Sequence, residues 1–262
     1  MDGSVKKSLA AILVLFLTLA CYGGVTSLMQ MVVARKNVAA GGFSPSDIAS
    51  IHAWYDAGIG VTTNASDVTL WEDQAGTNDL SQSTQSLMPD SSASAAAFNN
   101  EEIVTFDSTD DYLKTIAFAA LSQPNTIFHV ASWTSETAFH YDGIASGSRH
   151  AFFQNGSGNW NMFAGDNAVD GAASTNVHVF GTLWSGASSA LYIDGGTNAI
   201  SSGAGGTHTL TGITLGTGYN QSSPGGMVLA EFIIYDALLT DAEMNDVGNY
   251  LATKYGTTWT DL

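Results

Sequence analysis

Cysteine and basic residues are scarce in this sequence. The single cysteine, Cys21, excludes an intrachain disulfide and a zinc site built on several cysteines. Seven lysines and arginines stand against 24 aspartates and glutamates, which gives a formal net charge of −17. Such a surface repels phosphates, so we expect no nucleic-acid partner. Prolines are also few, four beside 28 glycines, and this balance is typical of many tight turns between short strands.

Charged residues are absent from residues 9–34, and pairs of basic residues flank this apolar stretch on both sides. The stretch is long enough to cross a bilayer as a helix. Three interpretations stay open: a cleaved signal peptide, a lipoprotein signal that ends at Cys21, or an uncleaved helix that contacts a membrane or neighbouring subunits of an assembly. We place the helix in residues 1–37, a linker in 38–46 and one folded domain in 47–262.

Short strands are predicted throughout the folded domain. Segments that alternate or are continuously apolar, such as 51–56, 127–133 and 227–235, predict strands. The turn residues Asn-Gly-Ser-Gly at 155–158 predict a hairpin. Strands at this spacing favour an antiparallel β-sandwich, a jelly roll, over a fold of alternating strands and helices.

One helix is predicted near the C terminus. Thr240 is a good N-cap and Glu243 stands three residues later, which is the pattern of a capping box. Apolar residues then follow at helical spacing until Gly256, a residue suited to end a helix. The predicted fold class is therefore all-β, an antiparallel sandwich with one short C-terminal α-helix, preceded by the N-terminal apolar helix.

Three patches of the domain carry a family resemblance. The first is IHAWYDA at 51–57 with VTLWEDQAGTN at 68–78, the second is VTFDSTDDYL at 104–113, and the third is ALYIDG at 190–195 with LAEFIIYDALLTDAE at 229–243. In this order they resemble the laminin-G-like jelly roll of the concanavalin A-like lectin and glucanase superfamily. The resemblance implies the fold and says much less about function. Domains of this kind occur in secreted bacterial proteins and in phage virion proteins.

Paired carboxylates suited to catalysis are missing from the sequence pattern. Glucanases of this superfamily carry acid and base residues on one strand, in a pattern such as E-x-D-x-x-E, so that both face the sugar. No such triplet occurs in this chain. Glu101 and Glu102 are adjacent, so in a strand they point to opposite faces, and Glu231 stands alone before an apolar strand. We therefore predict that the chain is not an enzyme.

Three aspartates, Asp107, Asp110 and Asp111, are the candidate metal ligands. They cluster in one turn, and oxygen ligands in loops are what calcium requires. Aspartates in such a turn also cap it by accepting hydrogen bonds from their own backbone. Both interpretations stay open, so calcium is the one cofactor that the sequence suggests.

A glycan site needs aromatic rings near the surface with amides beside them. Tryptophans that alternate within predicted strands are assigned to the core, namely Trp54, Trp71, Trp133 and Trp184. The candidate ligand-binding residues are Asn159, Trp160, Asn161, Tyr219 and Asn220.

These observations predict a non-catalytic recognition or adhesion module that binds a glycan or a protein. The apolar helix would tether it in the cell envelope, facing the exterior, and we expect an oligomer. One alternative is a structural component of a phage virion, such as a capsid-associated, spike or fibre protein on the virion surface. Another is a glycoside hydrolase of the glucanase type, which the missing carboxylate triplet disfavours.

Overall fold

The computed structural model describes residues 42–134 and 139–262. Residues Phe43–Leu262 form one compact unit. The predicted apolar helix in residues 1–37 lies outside the described residues. Within the two described ranges, no helix has the length and apolar character needed to cross a membrane.

Short strands dominate the described chain, joined by four brief 3₁₀ turns at Pro45–Asp47, Gln85–Leu87, Ala96–Phe98 and Gly186–Ser188, with one helix, α1, at Asp241–Tyr255. The strands are β1 (Ile51–Asp56), β2 (Val61–Asn64), β3 (Asp67–Trp71), β4 (Leu80–Ser81), β5 (Asp90–Ala95), β6 (Glu101–Asp107), β7 (Leu113–Lys114), β8 (Asn125–Trp133), β9 (Phe139–Asp142), β10 (Ala151–Gln154), β11 (Asn159–Phe163), β12 (Asn167–Ala172), β13 (His178–Trp184), β14 (Ala190–Ile193), β15 (Ser202–Gly203), β16 (Thr214–Leu215) and β17 (Gly226–Tyr235).

Antiparallel pairing arranges these strands in two layers. In the first layer β17 pairs with β1 and β6 on one side and with β8 on the other, and β13 and β14 follow β8. In the second layer β9 pairs with β16 and β10; β11 and β12 extend one side, and β7, β4 and β3 extend the other. The layers join at one edge, where Asp67 on β3 faces Asp90 on β5.

Strand β17 shows why the domain has two apolar clusters. Phe232 and Ile234 face the cluster between the two layers, whereas Ile233 and Tyr235 face the cluster beneath α1. All four side chains are fully buried. Because successive residues of a strand point to opposite faces, a continuously apolar strand can serve two cores at once. The domain is therefore a sandwich whose first layer is covered on its other face by α1.

Helix α1 begins and ends where the sequence predicted. The Thr240 side chain accepts a hydrogen bond from the Glu243 backbone N–H, and Glu243 Oε2 accepts from the Thr240 backbone N–H at 2.9 Å. Gly256 ends the helix with a φ of 67°, the left-handed region that glycine favours.

The all-β antiparallel fold with one C-terminal helix is thus confirmed. Pattern alone missed the shortest strands. The strand β4, for example, is only two residues long. A strand of two residues has no alternation to detect, so only its pairing with β3 and β7 defines it.

Candidate functional site

A cluster of aromatic rings lies on the outer surface of the second layer. Phe153 on β10 stands opposite Phe139 on β9 and opposite Asn161 on β11. The Phe139 and Phe153 rings are stacked with centroids 4.7 Å apart, and both residues are only partly buried. Since directly opposed residues share a face of the sheet, these side chains point away from the core that their neighbours fill.

A salt bridge crosses this surface. Arg149 Nη2 lies 2.7 Å from Asp142 Oδ2, and Arg149 Nε lies 2.9 Å from Asp142 Oδ1. The Asp142 side chain is fully buried and also accepts hydrogen bonds from the backbone N–H groups of Gly143 and Tyr219, at 2.7 and 2.8 Å. A two-point contact of this kind fixes both the position and the plane of the guanidinium.

Three rings surround the same guanidinium. Arg149 Cζ lies 4.6 Å from the ring centroid of Tyr219, 4.8 Å from that of Phe163 and 5.8 Å from that of Phe139. These are cation–π distances. We call the surface formed by Phe139, Arg149, Phe153, Phe163 and Tyr219 the Arg149 face. It combines ring faces, which pack on the apolar side of a sugar, with a fixed N–H donor group.

The structure separates the predicted ligand residues. Trp160 is 1% exposed, and its ring packs on Phe152 in the core with centroids 5.2 Å apart. The proposal of Trp160 as a ligand contact is therefore corrected: alternation along β11 turns its ring into the core and places Asn161 on the opposite face of the strand, where Asn161 is itself buried, with only 3% of its surface exposed. Asn161 lies opposite Phe153 of the Arg149 face but is too buried to offer its amide to a ligand, whereas Tyr219 is only partly buried and belongs to that face.

The two other predicted asparagines have local partners. Asn159 begins β11, and its backbone N–H donates to Asn155 Oδ1 at 3.1 Å. Asn220 is exposed, and its Oδ1 accepts a hydrogen bond from the Ser222 hydroxyl at 2.7 Å. Both hydrogen bonds are typical of turns.

Sequence analysis missed Arg149, Asp142 and the three phenylalanines. One signal was available, because Arg149 is one of only three basic residues between positions 42 and 262, with Lys114 and Lys254. A single arginine in a strongly acidic domain is expected to form a salt bridge with a particular carboxylate. Its partner, Asp142, could not be named from the sequence, since the pairing depends on how β9 and β10 come together.

The predicted metal ligands do lie together. Carboxylate oxygens of Asp107, Asp110 and Asp111 are all within 4.8 Å of one another, so they could hold a metal ion. Asp107 Oδ1 accepts a hydrogen bond from the Thr109 backbone N–H at 2.7 Å, and Asp111 Oδ2 accepts from the Asp107 backbone N–H at 3.0 Å. The same carboxylates therefore also cap the turn.

The three aspartates do not share one electrostatic environment. Burial and the neighbouring carboxylates Asp107 and Asp110 raise the pKa of Asp111 to about 6. Burial opposes charge on Asp107 as well, but hydrogen bonds from the backbone N–H groups of Thr109, Asp110 and Asp111 and from the Thr109 side chain outweigh it and lower the pKa of Asp107. The turn thus holds one readily protonated and one readily ionised carboxyl group.

One loop, residues 216–225, joins this turn to the Arg149 face. Gly216 packs so closely on the turn that a Cβ atom there would lie 2.9 Å from the Asp111 carbonyl oxygen. A Cβ on Gly218 would lie 3.3 Å from the Phe139 ring, and the Tyr219 N–H binds Asp142. The aspartate turn and the Arg149 face are therefore neighbours on either side of this loop.

A second carboxylate pair is sealed beneath α1. Lys254 Nζ lies 2.6 Å from Asp56 Oδ2 and 2.8 Å from Glu231 Oε2. Glu231 is fully buried, and the Trp54 indole and the Tyr255 hydroxyl also donate to it, at 2.7 and 2.8 Å. Burial raises the pKa of Glu231 even though Lys254 opposes the rise. Both carboxylates are buried, and their ion pairs with Lys254 tie α1 to the first layer.

Comparison with known proteins gives a fold and no family. No protein-family model matches the chain, and no curated protein matches it. Among solved structures, it is similar to Trypanosoma rangeli sialidase in complex with sialic acid, with a TM-score of 0.53, 13% identity, and coverage of 88% of this chain and 40% of the sialidase. It is also similar to a GH54 α-L-arabinofuranosidase soaked with a cyclic sulfate inhibitor, with a TM-score of 0.53, 15% identity, and coverage of 72% and 51%.

These comparisons overturn two predictions. The expectations of a non-catalytic recognition module and of a chain that is not an enzyme are wrong, because these two solved structures, which share its fold, are glycosidases. The glycoside hydrolase, named last among the alternatives, is the prediction they support. At such low identity the likeness shows the fold alone, and the chain spans about half or less of either neighbour's length.

Proposed function

We propose that this protein is a glycoside hydrolase whose glycan lies on the Arg149 face. The observation that carries the proposal is the guanidinium of Arg149, held by buried Asp142 and surrounded by the rings of Tyr219, Phe163 and Phe139. Glycosidase neighbours of the same fold support it. We also propose that the sandwich is of the laminin-G-like kind, on the sequence patches described above.

The Arg149 face is suited to a sugar in two ways. The partly buried rings of Phe139 and Phe153 offer apolar surface to the C–H groups of a pyranose or furanose ring. The Arg149 guanidinium offers N–H donors to hydroxyl oxygens, and Asp142 keeps it from swinging away. Asp142 is therefore a positioning residue, and Arg149 is the binding residue.

The carboxyl groups best placed for the reaction are Asp107 and Asp111, across the 216–225 loop from the Arg149 face. Their oxygens lie within 4.8 Å, close to the separation of about 5 Å found in retaining glycosidases. Asp111, the buried member, would give its proton to the leaving oxygen while Asp107 attacks the anomeric carbon. Water would then attack the glycosyl–Asp107 bond, release the sugar and return a proton to Asp111.

Hydrolysis of fluorogenic 4-methylumbelliferyl glycosides by the full chain tests this proposal. We expect at least one glycoside of the panel to be cleaved. Asp107→Asn and Asp111→Asn should each lower kcat by about 100-fold or more, since each removes an acid, base or nucleophile. The control Asp246→Asn changes an exposed aspartate on α1 and should leave kcat unchanged. Absence of cleavage, or full activity in both variants, would overturn the proposal.

Calcium binding is an alternative role for the turn that contains Asp107, Asp110 and Asp111. An ion bound by Asp107, Asp110 and Asp111 would occupy the oxygens that the reaction needs. Calcium that raises the melting temperature of the wild type but not of Asp111→Asn would show a metal site, and added calcium should then leave hydrolysis unchanged or raise it. If the aspartates are the reacting pair, calcium should inhibit, and EDTA should restore activity.

The remaining predictions concern placement of the chain. We propose that residues 9–34 tether the protein in a cell envelope, with residues 47–262 as one domain facing the exterior, and that the protein forms an oligomer. Fractionation of cells that express the full chain tests the first of these. Recovery of the full-length protein in the soluble fraction would contradict a tether.

A further inference from the structure

A cleft lies between three loops, away from the aspartate turn. Its volume is about 400 Å³. The lining is uncharged and made largely of hydroxyl and amide side chains, contributed by Ser122, Gln123, Pro124, Ser185, Gly186, Thr207 and Thr209.

The length of strand β8 gives the distance between the cleft and the aspartate turn. It begins at Asn125, next to the cleft, and ends at Trp133, which pairs with Met227, next to the partner of Asp107. Eight residue steps of an extended strand span roughly 25 Å. The cleft is therefore at the other end of the sandwich from the aspartate turn, and one monosaccharide cannot touch both.

Gln123 fixes the walls of the cleft. Its side-chain Oε1 accepts a hydrogen bond from the Gly186 backbone N–H at 2.6 Å. Its Nε2 donates to the carbonyl oxygens of Gly206 and His208, both at 3.1 Å. The Gln123 amide thus joins the three loops, and both its oxygen and its nitrogen form hydrogen bonds with their backbone. A cleft built in this way is formed before any ligand arrives.

The hydroxyl groups, in contrast, are not used by the protein. Among the residues that the structure describes, no side-chain hydroxyl of the lining donates to or accepts from another protein group; these are Ser122, Ser185, Thr207 and Thr209. Hydroxyls both donate and accept, which suits them to the hydroxyls of a ligand. With no charged side chain in the lining, neither an anion nor a cation would find a counter-charge.

We propose that this cleft is a second saccharide site that takes a neutral glycan, separate from the Arg149 face. The site binds an uncharged, polyhydroxylated segment through the four hydroxyls, with Gln123 as the positioning residue. An acidic domain does not repel such a ligand, whereas it repels an anionic one. The proposal needs no reaction at the cleft and does not depend on hydrolysis elsewhere.

Saturation-transfer NMR on the full chain, with neutral gluco-, xylo- and arabino-oligosaccharides as probes, tests the proposal. The double variant Thr207→Val with Thr209→Val removes two hydroxyls while keeping side-chain shape. We expect it to weaken binding by about 10-fold, as the loss of two hydrogen bonds predicts. The control Thr63→Val changes an exposed threonine on β2 and should bind as the wild type does.

A third variant separates this site from the Arg149 face. Phe153→Ala removes a ring of that face and should leave binding at the cleft intact. The same titrations, in which the Thr207 and Thr209 substitutions weaken binding, measure this. Binding of no probe, or equal binding by the wild type and the Thr207 and Thr209 double variant, would overturn the second site. Neither result bears on hydrolysis, which the glycoside panel measures.

Discussion

His129 Nε2 and His140 Nδ1 lie 2.9 Å apart at the centre of the core between the two layers. Both residues are almost completely buried, and the His129 ring stacks on Phe180 with centroids 4.7 Å apart. Two histidines in such contact share one proton in a hydrogen bond only while both rings are neutral or one is charged. Burial among aromatic rings disfavours the charge, so the neutral pair is the folded state's form.

The first prediction concerns pH. Burial, with the neighbouring histidine as a smaller cause, lowers the pKa of His129, and burial lowers the pKa of His140 to about 3 and that of His150 to about 4. These groups stay neutral in the folded chain while the unfolded chain takes up protons below about 6.5. Their contribution to stability is thus present above pH 6.5 and is lost progressively as the pH falls towards 4 and 3.

Urea unfolding at a series of pH values measures this loss. At pH 5 these three histidines should together bind close to three protons when the chain unfolds. Asp111 and Glu231 work in the opposite direction, because their raised pKa values stabilise the folded chain as the pH falls, but they are two groups against three histidines. A free energy of unfolding that is constant or rises from pH 7 to pH 5 would contradict the account.

The second prediction concerns the ion pairs beneath α1. Lys254→Met leaves Glu231 and Asp56 buried without a counter-charge. Removal of one partner from a buried pair costs about 3–5 kcal/mol, so the free energy of unfolding should fall by that order. Glu231→Gln in the Lys254→Met background should recover part of the loss, because it removes one of the two stranded charges. Equal stability of the single and double variants would show that the charges are not coupled.

The third prediction concerns Trp160, which sequence analysis placed in a ligand site. Its ring packs among Phe152, Phe180 and Trp133 with centroids 5.1–5.7 Å apart. Trp160→Ala should therefore lower the free energy of unfolding by about 3–5 kcal/mol. The folded fraction should bind glycans with unchanged affinity. Weaker binding without loss of stability would place the ring in the ligand site after all.

Structural elements that depend on residues close together in the sequence were predicted correctly. Helix α1 was predicted because Thr240, Glu243 and Gly256 act within a few residues of one another. Strands β8 and β17 were predicted because a central strand is apolar on both faces. The triplet Asn159-Trp160-Asn161 was not decided by alternation, since either the ring or the amides could face outward, and only packing against Phe152 settles it.

The Arg149 face could not be predicted from the sequence, for a different reason. Asp142 and Tyr219 are 7 and 70 positions from Arg149, and three separate loops and strands bring them together. No local pattern encodes such a contact. The resemblance to lectins and glucanases implied the fold correctly at the level of an all-β sandwich. The absence of one glucanase motif does not exclude activity, because carboxylates can come from a turn as well as from a strand.

Steady-state hydrolysis by the wild type and by one double variant tests the central claim most directly. The variant combines Arg149→Met with Asp142→Asn, so that the salt bridge is removed without leaving a buried charge. Placement of the glycan on the Arg149 face predicts cleavage of at least one glycoside by the wild type and a KM raised by about 10-fold or more in the folded variant. A wild type that cleaves none of the panel, or a variant with unchanged kcat/KM, would contradict it.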